Sequence, residues 1–322
     1  MKAATYIKQA ALADDPRWRA LADGLAAGGV ELYPVSTRED IRPETDLLLS
    51  VGGDGTFLSA SKRVGDSGIP VLGVNLGRLG FLSENRPEDL LEPVLRGDYI
   101  VEERTLLAVE GLGGDMYPHA LNEVAIQRSG AAILGIRVAV DGQSLPVFWA
   151  DGLLVATSSG STAYSLSVGG PICSPEAPVL VIAPIAPHNL NVRPLVVPES
   201  AHIDISVVSR DSSVRVSLDN RTALAPPTVR LSVHVAQFSL KRIRLPESGF
   251  VKALTSKLFW GEDIRSGMEW RTWKKNAYRS TYRSSWTATA AGPGNGAASV
   301  CTATSTGLKA SVPVRRPPSR QA

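Results

Sequence analysis

Leu47-Leu48-Leu49-Ser50-Val51-Gly52-Gly53-Asp54-Gly55-Thr56 decides how this chain is read. A mostly apolar run meets a glycine cluster, which predicts a buried parallel strand ending in a tight loop. Gly52, Gly53 and Gly55 take Cβ atoms out of the bend, so backbone N–H groups can adopt positive φ and approach an anion. The following residues 57–64, FLSASKRV, predict a helix whose N-terminal dipole adds to the same point. Asp54 falls in the middle of this cradle. A carboxylate there repels a phosphate unless it binds a metal or takes a proton from a hydroxyl, and both uses point to phosphoryl transfer. An ordinary strand-to-helix turn capped by Asp54 is the plainer alternative.

Outward from this stretch, the first hundred residues alternate strand and helix. Residues 1–7 and 30–35 read as strands. Residues 15–27 have an Asp-Pro start, helical spacing of Trp18, Leu21, Leu25 and Ala26, and a Gly28-Gly29 stop. A further buried strand covers 69–74 and a short helix 87–95. That order predicts an α/β fold with a doubly wound, Rossmann-like N-terminal domain, and ligands at the carboxyl ends of its strands. After residue 98 the pattern turns to short strands at 99–110, 120–128, 134–140, 153–157, 179–185, 202–208, 214–218 and 228–240. The expected organisation is a nucleotide-binding domain over 1–98, rejoined by 249–270. A β-rich, β-sandwich-like domain covers 99–248.

The 322 residues are 43% hydrophobic and 20% charged, values of a globular protein with a substantial core. No secretory leader and no apolar run of membrane-spanning length stands out, so no membrane association is expected. Two cysteines, Cys173 and Cys301, are too few for a disulfide framework and suit a reducing cytoplasm. The net charge of +3 misleads, because nine of the 34 Lys and Arg residues lie in 271–322, which has no Asp or Glu. The remainder is mildly acidic, which gives a nucleic-acid role little support. Residues 271–322, rich in Ala, Gly, Thr, Ser, Pro and Arg, read as a disordered basic tail.

A second unusual stretch runs from Ala150 to Ser167, ADGLLVATSSGSTAYSLS. A strand feeds into small and hydroxyl residues, then an aromatic and two more serines. Such a set suits the edge and face of a purine; a loop whose hydroxyls bond its own backbone is the local alternative.

These motifs together resemble bacterial NAD kinases, from about residue 46 to residue 260. GGDGT alone is shared with diacylglycerol, sphingosine and, more remotely, 6-phosphofructokinases. Asp151 to Ser165 matches the NAD kinase pattern closely, with Ser158-Ser159 where Pro-Thr is usual. Asn122-Glu123 matches the family's Asn–Glu pair, 76–82 its LGRLGFL segment and 187–196 its PHSLNARPLV segment. Lys257-Leu258-Phe259-Trp260 matches its KLxW ending. Asp219-Asn220-Arg221 is a poorer match to a DGQ turn.

The resemblance implies phosphorylation of the 2′-hydroxyl of the adenosine ribose of NAD by ATP, with Mg²⁺ bridging the donor phosphates. It implies Asp54 as proton acceptor, and Gly52, Gly53, Gly55 and Thr56 around the phosphates. Asn122 is then an adenine contact and Glu123 a ribose contact. Thr162, Ala163, Tyr164, Ser165, Leu166 and Ser167 belong to the nucleotide pocket. Asp151 and Ala186 lie on the nicotinamide side, and no residue is assigned as a protein metal ligand. Relatives form homodimers and homotetramers, and some use inorganic polyphosphate as donor. The rival readings are a lipid or sugar kinase built on the same loop, and a catalytically silent NAD(H)-binding regulator.

Overall fold

A computed structural model describes residues 1–77, 80–114 and 116–258. The expected tail at 271–322, together with Arg78, Leu79, Phe259 and Trp260, lies outside them. Among the described residues, β1 (Lys2–Ile7), β2 (Glu31–Pro34), β3 (Leu47–Val51), β4 (Val71–Val74) and β5 (Ile100–Arg104) join one sheet with the strand Leu240–Arg244. The order is β2, β1, β3, β4, Leu240–Arg244, β5. All neighbours are parallel except β5, which pairs antiparallel at the edge.

Side chains of β3 alternate between two helical layers. Leu47, Leu49 and Val51 pack with Trp18, Leu21 and Leu25 of α1 (Pro16–Ala27). Leu48 packs with Phe57, Ala60 and Val64 of α2 (Asp54–Val64). Both faces are therefore covered, and every residue of β3 is buried, as a continuous apolar run in a parallel sheet requires. Fully burying each large side chain is worth roughly 1.5–3 kcal/mol, so this strand anchors the domain. The chain leaves β1 toward β2 on one side and returns to β3 on the other. The bend after β3 therefore opens at the point where strand order reverses.

The second sheet is antiparallel and centres on the ten-residue strand Phe148–Thr157. That strand pairs with Glu123–Arg128, Leu134–Val140 and Val179–Pro187. Leu153 and Val155 face one large apolar cluster, while Leu154 and Ala156 face another with Val181, Ala183 and Ile185. This agrees with the expected β-rich partner to an α/β domain.

Several element boundaries differ from the sequence reading. Helix α2 begins at Asp54 rather than at residue 57, with Gly53 as its N-cap. The stretch 99–110 is two strands, β5 and Leu107–Glu110, lying in different sheets, and 228–240 likewise divides into Arg230–Val235 and Leu240–Arg244. Each division marks where the chain passes from one sheet to the other. The connecting residues, 105–106 and 236–239, are short and hold neither glycine nor proline, so the sequence carries no punctuation at either crossing.

Candidate active site

Gly52 takes φ +144°, and a Cβ there would meet the Thr56 hydroxyl at 2.5 Å, so the bend requires glycine. Its N–H donates to Val74 at 2.9 Å, tying the ends of β3 and β4 together. Asp54 then occupies the first residue of α2 and does not point freely into the bend. Its Oδ2 accepts the Phe81 N–H at 2.9 Å; its Oδ1 accepts the Leu82 and Ser83 N–H groups at 3.1 and 2.8 Å. A Cβ on Gly80 would overlap the Asp54 carboxylate, so glycine at 80 is what lets the segment close over it.

The 80–83 segment is held from three further directions. Asn75 Nδ2 donates to the Ser83 carbonyl at 2.7 Å, and the Ser83 hydroxyl donates to the Gly52 carbonyl at 2.8 Å. Lys257, on α5 (Phe250–Leu258), donates to the Gly80 carbonyl and lies 4.8 Å from the centre of the Phe81 ring. Burial pushes the Lys257 ammonium down from its ordinary range; nearby Glu84 and Asp54 partly restore it.

Across the bend stands the corner Leu121-Asn122-Glu123. Asp219, buried and at φ +50°, accepts the Leu121 and Asn122 N–H groups at 3.0 and 2.8 Å. Thr157, at the end of the long central strand, donates its hydroxyl to Leu121 at 2.6 Å and accepts the Gly160 N–H at 3.0 Å. A Cβ on Gly160 would strike the Asn122 backbone, so this glycine seats the hydroxyl-rich segment against Asn122. Burial, and then the Asp219 charge, push the Glu123 carboxyl up to about 8, and its Oε2 has no partner. Burial also raises the Asp219 carboxyl, against the backbone N–H bonds that favour its charged form.

Asn220 joins the two halves, its amide donating to the Gly55 carbonyl at 3.0 Å and to the Ser59 hydroxyl at 3.2 Å. Asp219 on one side and Asn220 on the other thus hold Asn122-Glu123 against the first turn of α2. Arg221 lies 3.8 Å from the Asp219 carboxylate, donates to the His119 carbonyl at 2.5 Å and places its guanidinium 5.2 Å from the Tyr117 ring centre.

Two family models match this chain: the ATP-NAD kinase N-terminal domain over residues 26–99 and the ATP-NAD kinase C-terminal domain over 121–245. The chain belongs to the NAD kinase family. An NAD kinase of Bacteroides fragilis is 44% identical over 230 residues, covering 69% of this chain and 79% of its own. One from Flavobacterium psychrophilum is 43% identical over 240 residues, covering 72% and 81%. Among solved structures, an Archaeoglobus fulgidus NAD kinase in complex with ATP is 25% identical with a TM-score of 0.66, covering 77% of this chain and 95% of its own. Yeast NADH kinase complexed with NADH is 25% identical with a TM-score of 0.72, covering 83% and 90%. The activity is that of an NAD kinase, phosphorylation of NAD to NADP with ATP.

Of the residues expected from the NAD kinase pattern, Gly52, Gly53, Asp54, Gly55 and Thr56 lie at the bend and the first turn of α2. Thr162 and Ala163 lead into the short helix α4 (Tyr164–Ser167), close to the Asn122-Glu123 corner. Tyr164 accepts the Gln127 amide at 2.7 Å, and its backbone N–H draws the Glu123 carboxyl part-way back down. Ser165 is fully buried with an unpartnered hydroxyl, Leu166 is half-buried and Ser167 is exposed.

Asp151 and Ala186 are not brought to this corner. Asp151 lies six residues before Thr157 on one strand, about 20 Å away at the usual rise. It pairs instead with Arg128 at 2.9 Å. Ala186, at φ +45°, is exposed between the strand pairs that flank Asp151. The sequence reading matched 76–82, 219–221 and 257–260 to family motifs but gave no role to the 80–83 backbone around Asp54, to the Asp219 and Asn220 bridge or to Lys257. At 219–221 it pointed at Arg221 rather than at its two neighbours.

Proposed function

We propose that Asp54 takes the proton from the adenosine ribose 2′-hydroxyl of NAD as that oxygen attacks the γ-phosphate of ATP. The observation that carries this reading is the asymmetric loading of the carboxylate. Oδ1 accepts two N–H groups and Oδ2 only one, which leaves a lone pair on Oδ2 in a fixed direction. Three backbone donors set that direction, so the carboxylate spends little rotamer entropy when the hydroxyl arrives. The glycine bend and the first turn of α2 receive donor phosphates, with backbone N–H groups doing the recognition.

Glu123 and Asn122 hold the adenosine end. Glu123, carrying its proton through most of the neutral range, offers both a donor and an acceptor to ribose hydroxyls. Tyr164, Thr162 and Ala163, with Ser165 behind them, close the adenine side. Asp151 and Ala186 serve the nicotinamide side. On the same strand as Asp151, two residues away, Trp149 is 49% exposed. An exposed aromatic there suits the face of a homodimer or homotetramer.

Among the described residues, no three His, Cys, Asp or Glu side chains converge on a metal-sized space. Asp54 is already occupied by backbone donors. Mg²⁺ would therefore arrive with the phosphates of ATP rather than on a side-chain site of its own. When bound, the ion neutralises charge on the transferring phosphoryl group. ATP rather than polyphosphate is the donor in this reading. No helix among the described residues is long and apolar enough to cross a membrane. The two cysteines suit a reducing cytoplasm, where this reading places the enzyme.

The deciding experiment is NADP formation by the Asp54→Asn variant. Turnover should fall by a factor on the order of 10² or more with NAD affinity retained. Turnover close to that of the unaltered enzyme would remove the proton-acceptor role.

A further inference from the structure

Behind the 80–84 segment lies a small cavity of about 110 Å³. Its walls include Phe81, Arg104, Arg242, Arg244 and Ala253, and it meets the adenine side of the nucleotide pocket at Thr162. Glu102 serves all three arginines: it pairs with Arg104, lies 3.6 Å from Arg242 and accepts Arg244 Nε at 2.5 Å. Glu84 pairs with Arg242. Three guanidinium groups thus meet two buried carboxylates. The third carboxylate on the wall, Glu176, is exposed and acts on Arg104 only at longer range. Arg104 is 4% exposed, and its Nη1 is buried with no hydrogen-bond partner.

A surplus buried cation with an orphaned donor is costly unless an anion completes it. Burial, followed by the neighbouring Arg242, pushes the Arg104 guanidinium down from its usual range. Gly249 and Phe250, at the start of the nine-residue α5, line the same space, so the helix adds its positive end. The volume lies well below the roughly 300 Å³ at which sites for drug-sized ligands begin, so a nucleoside does not fit. A guanidinium fork favours an oxyanion over a halide.

We propose that this cavity is a binding site for a single phosphate-sized oxyanion, seated on Arg104 and adjoining the nucleotide pocket at Thr162. Its occupancy reaches the catalytic segment through Leu82. Arg242 Nε donates to the Leu82 carbonyl at 3.2 Å, and the Leu82 N–H donates to Asp54. An oxyanion on the arginines therefore stiffens the segment that orients the carboxylate. This proposal does not depend on the role given to Asp54.

The test is the thermal midpoint of the full chain, saturated with NAD and titrated with inorganic phosphate at ionic strength held constant with sodium chloride. The unaltered protein should show a saturable rise. Arg104→Gln should weaken the apparent affinity at least tenfold. Ala253→Leu, which fills the cavity and leaves every arginine in place, should abolish the rise. The second variant keeps the test informative if the first fails to fold. A rise of the same size and midpoint in either variant would place the phosphate elsewhere, at the glycine bend for example, and overturn the assignment. Absence of any saturable rise in the unaltered protein would overturn it as well.

Discussion

The Ser83 backbone N–H lies 2.8 Å from the Asp54 carboxylate, across 29 residues of chain. The Asp54 carboxylate at the glycine bend is thus oriented by a segment it does not adjoin in sequence. Gly80 makes the approach feasible, because a side chain there would occupy the space of the carboxylate.

Gly80→Ala is accordingly expected to force the 80–83 segment off Asp54. Losing two or three N–H bonds to a charged acceptor should cost on the order of 2–4 kcal/mol of stability. The thermal midpoint should fall by several degrees and NADP formation should drop steeply. A variant that unfolds at the same temperature with full activity would show that closure of this segment over Asp54 does not matter.

Glu123 makes stability depend on pH. Burial holds its carboxyl at about 8 in the folded chain, above the ordinary 4.5, so the folded state binds the proton more tightly. Between those values the folded protein holds more protons than the unfolded chain, so stability falls as pH rises. Glu123→Gln should flatten this descent and leave the variant more stable than the parent near the top of that window. Denaturation midpoints across the window check the sign. Asp219, whose carboxyl is also raised, adds to the same slope in both proteins.

Asp219→Ala removes the acceptor for Leu121 and Asn122 N–H groups that have moved out of water. The expected loss is about 2–3 kcal/mol, read by urea denaturation. Asn220→Ala, by contrast, breaks only the bridge to α2. It should leave stability within about 1 kcal/mol of the parent while raising KM for NAD, because the two halves of the site are no longer held in register.

If Mg²⁺ arrives with the phosphates of ATP, as proposed, chelation should stop turnover without preventing NAD binding. Adding Mg²⁺ back should restore activity in proportion to the Mg²⁺–ATP complex formed. NAD binding that requires the metal would show instead that the ion bridges protein and dinucleotide.

Ending the chain after Trp270 should leave NADP formation intact, as both family matches end by residue 245. Loss of folding on truncation would assign the basic C-terminal stretch a structural part.

By itself the sequence determined the layered α/β architecture, the buried strand before the glycine bend and the β-rich second half. Those features depend on local periodicity and glycine placement, which a linear chain displays directly. It also displayed Asp54, Asn122-Glu123 and the 150–167 stretch, because residue types suited to the chemistry stand together there. Only tertiary structure decided what holds them. The Asp54 carboxylate is oriented by backbone N–H groups, and backbone donors leave no trace in residue identity beyond Gly80. Asp219 and Asn220 act across nearly a hundred residues and more than 160 residues respectively, through single hydrogen bonds that no spacing rule encodes. The separation of Asp151 from Thr157 was likewise invisible as a distance, because a continuous motif in sequence becomes an extended strand in space.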